Sequence, residues 1–329
     1  MQIKDITLKH GLALAPMAGV TDRAFRRLCA DQGAEYAVTE MVSAKAICYE
    51  SESRASAPAR TAPLARIEEG IPTAVQLFGA DPEFMARAAK MLAELSYKGA
   101  EGIRPAAIDI NMGCPVKKVV SCGEGSALMK TPELAADIVS AVKRVVDIPV
   151  TVKIRAGWSS TSINAPELAK RLEDAGADAI CIHGRTREQF YAPSSDNRVI
   201  AAVKKAVTVP VFGNGDIYTV DDARRMLNET ECDGLMIARG SMGNPWLFAE
   251  IAAMLEGREY LPPSPKERIE AAYAHAEALV AESGHQGIVR ARGQLAWYVK
   301  GITGAASARA RINAAVELSE LKEILDELI

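Results

Sequence analysis

A (β/α)8 barrel followed by a small all-helical domain is the fold this sequence predicts, and three observations predict it. Short β-branched runs alternate with helical patterns eight times between residues 1 and 256. Polar residues gather where those runs end. Beyond Leu255 the strand signal stops and only helical pattern remains.

The strand candidates are, in order, Leu12–Ala15, Tyr36–Thr39, Thr73–Leu77, Ala107–Ile110, Val150–Ile154, Ala179–Ile182, Val209–Phe212 and Gly234–Ile237. Between them lie stretches with helix signals. Asp81-Pro82-Glu83 and Thr131-Pro132-Glu133 each offer an N-cap, a proline at the first helical position and an acid in the first turn. The second of these helices places Leu134, Ile138, Val142 and Val145 along one face. Gly33 and Gly176 fall where helix ends call for a left-handed residue. Eight such units suit a barrel. A doubly wound open sheet is the alternative, weakened by the absence of a G-x-G-x-x-G after the first strand. Residues 1–256 therefore read as the barrel. Residues 257–265, with three prolines, read as a linker, and 266–329 as a helical domain with helices near 266–283, 288–302 and 307–328.

Composition narrows the class. The chain has 329 residues, 49% apolar and 25% charged, enough to bury a sizeable core. No apolar run is long enough to span a membrane, and the first residues lack a signal-peptide pattern, so the cytoplasm is the expected location. Six cysteines without a C-x-x-C pair argue against a disulfide framework or a zinc site. The net charge of −3 means that any polyanion must be held by a local basic patch.

In a barrel of this kind the active site forms at the carboxyl ends of the strands. Those ends carry Pro16-Met17-Ala18, Glu40, Gln76, Asn111–Pro115, Lys153-Ile154-Arg155, His183-Gly184-Arg185, Asn214-Gly215-Asp216 and Ala238-Arg239-Gly240. The last two clusters combine flexible backbone amides with a guanidinium, which suits a phosphate; simple tight turns are the plainer alternative. Lys153 and Gln76 project into the mouth. A lysine there needs either an anionic ligand, such as the pyrimidine edge of a reduced flavin, or a carboxylate partner at Glu40 or Asp109.

Four blocks resemble the signature of the tRNA-dihydrouridine synthases, most closely the bacterial B-type branch. They are Leu14–Asp22, Asp109–Lys118, Thr151–Trp158 and His183–Arg187. The likeness continues through Gly215-Asp216 and Gly243–Trp246 into Leu295–Gly301, nearly the whole chain. It implies an FMN-dependent enzyme, re-reduced by NADPH or NADH, that turns specific tRNA uridines into 5,6-dihydrouridine. By the same resemblance Pro16, Met17 and Ala18 lie against the flavin. Gln76, Lys153 and His183 contact its ring or ribityl groups, and Asn214, Gly215, Asp216, Ala238 and Arg239 hold the phosphate end. Cys114 is then the proton donor. The residues themselves agree: Cys114 sits on a turn between Gly113 and Pro115, and an ordinary thiol is mostly protonated at neutral pH. No histidine stands near it in sequence to make it a covalent nucleophile; Cys122 is the spare thiol.

Asn111 is the candidate for the uracil edge and Arg155 for base or flavin oxygens. For tRNA, Lys117 and Lys118 add charge near the mouth. No acid stands between Ser283 and Val316, where Arg290, Arg292, Lys300, Arg309 and Arg311 could meet phosphates or merely be solvated. Trp297 and Tyr298 read as core. No membrane and no obligate protein partner is expected. An FMN barrel oxidoreductase on a free small molecule, of the dihydroorotate-dehydrogenase kind, leaves this basic helical region unexplained; an RNA-binding or RNA-chaperone protein with an idle barrel is a third reading, against which a yellow protein that bleaches with NADPH would count. Three segments depart from the family pattern: Arg292-Gly293-Gln294 where R-K-H is common, Pro193–Asn197 where G-x-A-D-W is common, and a longer Lys98–Ala106. None falls in the flavin blocks, so they are expected to bear on the target position and the tRNA contacts, not on the flavin chemistry.

Overall fold

Eight parallel strands close into a barrel in the order β10-β3-β4-β5-β6-β7-β8-β9, in a computed structural model that describes residues 1–53, 59–67 and 70–329. The strands are β3 (Leu12–Leu14), β4 (Tyr36–Ser43), β5 (Thr73–Phe78), β6 (Ala107–Met112), β7 (Val150–Arg155), β8 (Ala179–His183), β9 (Val211–Asn214) and β10 (Gly234–Ile237). A hairpin of β1 (Gln2–Ile3) and β2 (Ile6–Thr7) precedes them. Its Ile3, Ile6 and Leu8 are buried with the apolar side chains that fill the barrel.

All eight predicted strands form; only β10 keeps the expected bounds at both ends, and the differences at β4 and β9 have a visible local cause. β4 runs on through Glu40 to Ser43 with a register irregularity between Val38 and Met41. β9 starts at Val211, not Val209, because Pro210 has no N–H to give the ladder; its carbonyl still accepts from Ile180.

The helices are α1 (Arg23–Asp31), α2 (Ala44–Glu52), α3 (Ala62–Ala65), α4 (Pro82–Ala93), α5 (Lys117–Val120), α6 (Pro132–Lys143), α7 (Ala165–Asp174), α8 (Asn197–Ala206), α9 (Val220–Thr230) and α10 (Leu247–Leu255). Asp81 caps α4 by accepting from the N–H groups of Glu83 and Phe84. Thr131 does not cap α6; its hydroxyl turns back to the Leu128 carbonyl. Of the expected face of α6, Ile138 and Val142 are buried, with Ala135 and Val139 beside them; Leu134 is half-buried, and Val145, beyond the helix end at Lys143, stays 39% exposed. Gly33 and Gly176 do take positive φ, at 96° and 107°.

The remaining chain forms α11 (Pro265–Ser283), α12 (His285–Tyr298), α13 (Ala305–Ala314) and α14 (Leu318–Asp326). Ser264 and Glu267 close a capping box at the start of α11, with Pro265 in the first turn. The single helix expected over 307–328 is two helices. Ala315 is extended and buried, and the chain folds back so that Leu321, Ile324 and Leu325 join Ile312 in one cluster. No breaker residue marks that bend. Tyr298 is fully buried there as expected, while Trp297 packs against Gly243 of the β10–α10 loop, where a Cβ would meet it at 2.6 Å. Among the described residues no helix is long and apolar enough to cross a membrane.

Candidate active site

Side chains alternate along a strand, so every second residue points to the barrel axis. The lower inward positions are apolar: Ala13, Tyr36, Ala74, Ala107, Ala179 and Phe212 are buried together, with the Tyr36 and Phe212 rings stacked at 6.1 Å. The same strands, continued toward their carboxyl ends, place Gln76, Asn111, Lys153, Arg155, His183 and Asn214 at the mouth. The result is a closed floor under an open cavity of about 630 Å³, within the range of small-ligand sites.

This cavity gathers residues from all over the sequence. Its lining includes Pro16, Met17, Ala18, Gln76, Asn111, Cys114, Lys153, Arg155, His183, Asn214, Gly215, Asp216, Ala238 and Arg239. Lys117 and Lys118 lie outside it, exposed on α5 beyond Cys114. Arg290 (exposed) and Arg292 (half-buried) lie on α12. Arg311 is not a free cation: Glu327 of α14 grips its guanidinium.

A buried polar relay underlies the cavity. Thr151 Oγ1 donates to Asp109 Oδ1 at 2.6 Å, and Gln76 Nε2 donates to Asp109 Oδ2 at 2.7 Å. Asn111 Nδ2 donates to Gln76 Oε1 at 2.8 Å, and Asn111 Oδ1 accepts from the Cys114 N–H at 2.9 Å. Asn111 thus engages both ends of its amide, Oδ1 holding the Cys114 turn and Nδ2 anchored on Gln76. Asp109 is 2% exposed. Burial pushes its pKa up to about 6, against the lowering effect of its two hydrogen bonds and Lys153.

The native state therefore holds this proton to higher pH than the unfolded chain does. Its ionisation removes stability between about pH 4 and pH 6, on the order of 3 kcal/mol in all. Asp109→Asn keeps an acceptor for Gln76 and a donor for the Thr151 hydroxyl. We expect its urea-unfolding free energy, relative to wild type, to rise across that window. A constant difference from pH 4 to 7 would show that Asp109 does not titrate there.

Positive charge is concentrated around the cavity. Lys153 Nζ donates to the neutral Asn214 Oδ1 at 2.8 Å, and burial pushes its pKa down. It forms no ion pair with Glu40 or Asp109: Glu40 accepts from the Gly19 N–H at 2.6 Å, and Asp109 is engaged as above. His183 is buried, and burial together with Arg155, Lys153, Arg185 and Arg239 holds its pKa well below the usual range, so the imidazole is neutral. Arg155 is committed to main-chain carbonyls. Its Nε donates to Gly113 O at 2.8 Å and its Nη1 to Thr186 O at 3.0 Å and Phe190 O at 3.2 Å. It ties the Cys114 turn to the loop after β8.

Cys114 is half-buried at the cavity wall. Burial raises its thiol pKa, against a backbone N–H at Val116 and the charge of Arg155, so the sulfur keeps its proton at neutral pH.

Sequence reasoning gives no role to Arg185, Tyr191 and Tyr218. Arg185, 3% exposed, makes a two-pronged pair with Asp216, Nη1 to Oδ1 at 2.8 Å and Nη2 to Oδ2 at 2.6 Å. Asp216 also accepts from Arg239 Nη2 at 3.3 Å and the Ser195 N–H at 2.9 Å. Its carboxylate therefore locks the loops after β8, β9 and β10 together. Arg239 lies between the rings of Tyr191 (4.4 Å) and Tyr218 (5.6 Å). Nothing local in the sequence announces these pairings, although Arg185 stands two residues after His183 in a quoted block.

The departures from the family pattern do reach the site, contrary to expectation. Pro193 O accepts from Arg185 Nε at 2.6 Å, and the Ser195 N–H binds Asp216. Gln294, 3% exposed on α12, donates to Gly19 O at 3.2 Å and Asp22 Oδ2 at 3.1 Å. Gly19 is thus held by Glu40 at its N–H and by Gln294 at its carbonyl, and the Pro16–Thr21 loop lining the cavity is fastened to the helical region. Lys98–Ala106 stays apart, pairing Gly102 with Ile67 in a bridge where a Cβ would collide with the Ile67 carbonyl.

Comparison with known proteins places the chain in a family. A family model described as Dihydrouridine synthase (Dus) matches residues 13–329. tRNA-dihydrouridine synthase B of Pseudomonas aeruginosa is 41% identical over 317 residues, covering 95% of this chain and 91% of the relative. Probable tRNA-dihydrouridine synthase 1 of Synechocystis is 41% identical over 335 residues, covering 100% of this chain and 89% of the relative. Among solved structures, a 2-naphthoyl-CoA reductase superposes with a TM-score of 0.57 at 13% identity, over 78% of this chain and about half (52%) of its own. A histamine dehydrogenase from Rhizobium gives 0.54 at 14%, over 84% of this chain and 51% of its own; at such identities these two speak for the barrel alone. On the family match and on relatives aligned over most of both chains, the protein belongs to the dihydrouridine synthase family.

Proposed function

We propose that this protein reduces one or more uridines in tRNA to 5,6-dihydrouridine at the mouth of the barrel. The observation that carries the reading is that Cys114 shares one cavity with Lys153, His183 and Arg239, drawn from strands far apart in sequence.

The cavity fits FMN. Lys153 has only a neutral hydrogen-bond partner, and Arg155, Arg185 and Arg239 surround a neutral His183, so the site favours an anionic occupant. At the β9 and β10 loops only glycine is accommodated: a Cβ on Gly215 would strike Ser195, and one on Gly240 would strike the Ile217 carbonyl. That close-packed backbone beside Arg239 suits a phosphate. Lys153, Gln76 and His183 would meet the ring and ribityl groups, with Pro16, Met17 and Ala18 against the ring. Asn214, Gly215, Asp216, Ala238 and Arg239 would frame the phosphate end, Asp216 by aiming the two arginines. FMN, once reduced by NADPH or NADH, supplies the hydride that goes to C6 of the uracil.

The protein's own chemistry is the proton. Cys114 Sγ holds it at neutral pH and delivers it to C5, and Arg155 stabilises the thiolate left behind until solvent reprotonates it. Asn111 and Arg155 fix the turn that carries the sulfur. Residues 266–329 act as the tRNA-binding domain, reached across the 257–265 linker, with Arg290 and Arg292 on backbone phosphates and Lys117 and Lys118 adding charge by the mouth. The target uridine must leave its stack to enter.

Purified protein should be yellow, bleach with NADPH and form dihydrouridine in unmodified tRNA but not from free uridine or orotate. A colourless protein, or one equally active on the free base, would sink this assignment.

A further inference from the structure

A second cationic feature lies across the mouth from the helical region. Lys130 Nζ sits 4.2 Å from the centroid of the Trp158 ring, and Arg187 Cζ sits 4.7 Å from the same centroid. Arg187 also lies 5.7 Å from the ring of Phe190, which lines the cavity. The three residues follow β6, β7 and β8, so a cation–aromatic ridge runs outward from the mouth over those loops.

Two like charges on one indole raise each other's free energy unless an anion joins them. Among the described residues neither cation forms an ion pair, and the neighbouring acid, Glu188, pairs with neither. Arg187 Nε is buried without a partner. By contrast, Arg198, Arg224, Arg225 and Arg311 are all matched to carboxylates. In the closed barrel β7 is four strands from β3 in either direction. The loop after β3 is the one fastened to α12 through Gln294. The two basic regions therefore flank the cavity on opposite sides.

The geometry points to Lys130, Trp158 and Arg187 as a second docking point for the RNA substrate, which binds a backbone phosphate next to the extruded uridine while Trp158 holds the two cations in register. The RNA then straddles the mouth, gripped by the helical region on one side and by this ridge on the other. The inference rests on the tRNA assignment above and deepens it.

The test is the binding of unmodified tRNA by the flavin-loaded Lys130→Ala/Arg187→Ala protein over a salt series, with Trp158→Leu in parallel. Each lost phosphate contact lowers the log–log salt slope by about 0.7 to 0.9, so the double variant, which loses the one phosphate held by the ridge, should lose about that much in slope and bind roughly four- to sixfold more weakly near physiological salt. Trp158→Leu, which keeps both charges but unfastens them, should show a smaller loss in the same direction. The flavin spectrum and melting temperature should not change. Wild-type affinity and slope in the double variant overturn the docking point. So does weaker binding that comes with a lowered melting temperature and an unchanged slope, since that marks a purely structural ridge. If wild type makes dihydrouridine while the double variant binds normally, the docking point alone fails. If wild type binds tRNA through these residues yet makes no dihydrouridine, the enzymatic assignment alone fails. If wild type does not bind tRNA, both fail.

Discussion

Cys114→Ala is expected to remain yellow and to be reduced by NADPH at the wild-type rate, yet to form dihydrouridine about a hundred to ten thousand times more slowly. That range is what a positioned proton donor contributes. The substitution removes one sulfur from a half-buried turn that is held by main-chain groups: the Cys114 N–H on Asn111, and its carbonyl on Ser126. The turn should keep its shape, so the loss is assigned to the proton and not to folding. Single-turnover oxidation of the reduced cofactor by tRNA separates the two, since binding and cofactor reduction stay intact while the chemical step slows. Cys122, exposed on the segment after α5, should be replaceable without effect. Turnover within a few-fold of wild type in Cys114→Ala would remove this thiol from the mechanism.

Asp216→Ala should cost about 3 to 5 kcal/mol of stability, because it strands Arg185, 3% exposed, without its counter-charge. For a protein of this size that is a drop of roughly 10 °C in melting temperature. Burial alone would raise the Asp216 pKa, but Arg185, the Ser195 N–H and Arg239 together hold it below its ordinary value. The carboxylate is therefore charged at neutral pH, and its contribution fades as pH falls through that lowered value. Asp216 also has φ 51°, which asparagine tolerates better than alanine. Asp216→Asn thus separates the charge from the backbone strain and should lose less. The double variant Arg185→Leu/Asp216→Asn should be more stable than Asp216→Ala, since no buried charge is left unpaired. FMN affinity should fall in all three. A melting temperature within a degree or two of wild type in Asp216→Ala would mean that the three loops hold their places without this carboxylate.

Much of the fold was legible because barrel strands repeat with period two. In Ala107-x-Asp109-x-Asn111, Thr151-x-Lys153-x-Arg155 and Ala179-x-Cys181-x-His183 the inward residues grow more polar toward the carboxyl end. That gradient is the site written along each strand, so the mouth could be drawn before its shape was known. Bounds were less secure where local chemistry intervened. Pro210 delayed β9, the Thr131 hydroxyl chose a carbonyl over the helix start, and the bend at Ala315 came from packing and not from a breaker.

The sequence by itself determined the strand order, the residues offered to the cavity and the charge that cavity concentrates, because these follow from alternation and composition along short stretches. Tertiary structure alone decided which of those residues are free to meet a ligand. Asn111 and Arg155 turned out to be braces, Asp216 a clamp and Arg311 a paired ion, while Gln294 and Pro193–Asn197 reach the site from segments expected to stand apart. Hydrogen bonds and ion pairs are satisfied by whatever lies within about 3 Å in space. Partners separated by tens or hundreds of residues leave no periodicity to read.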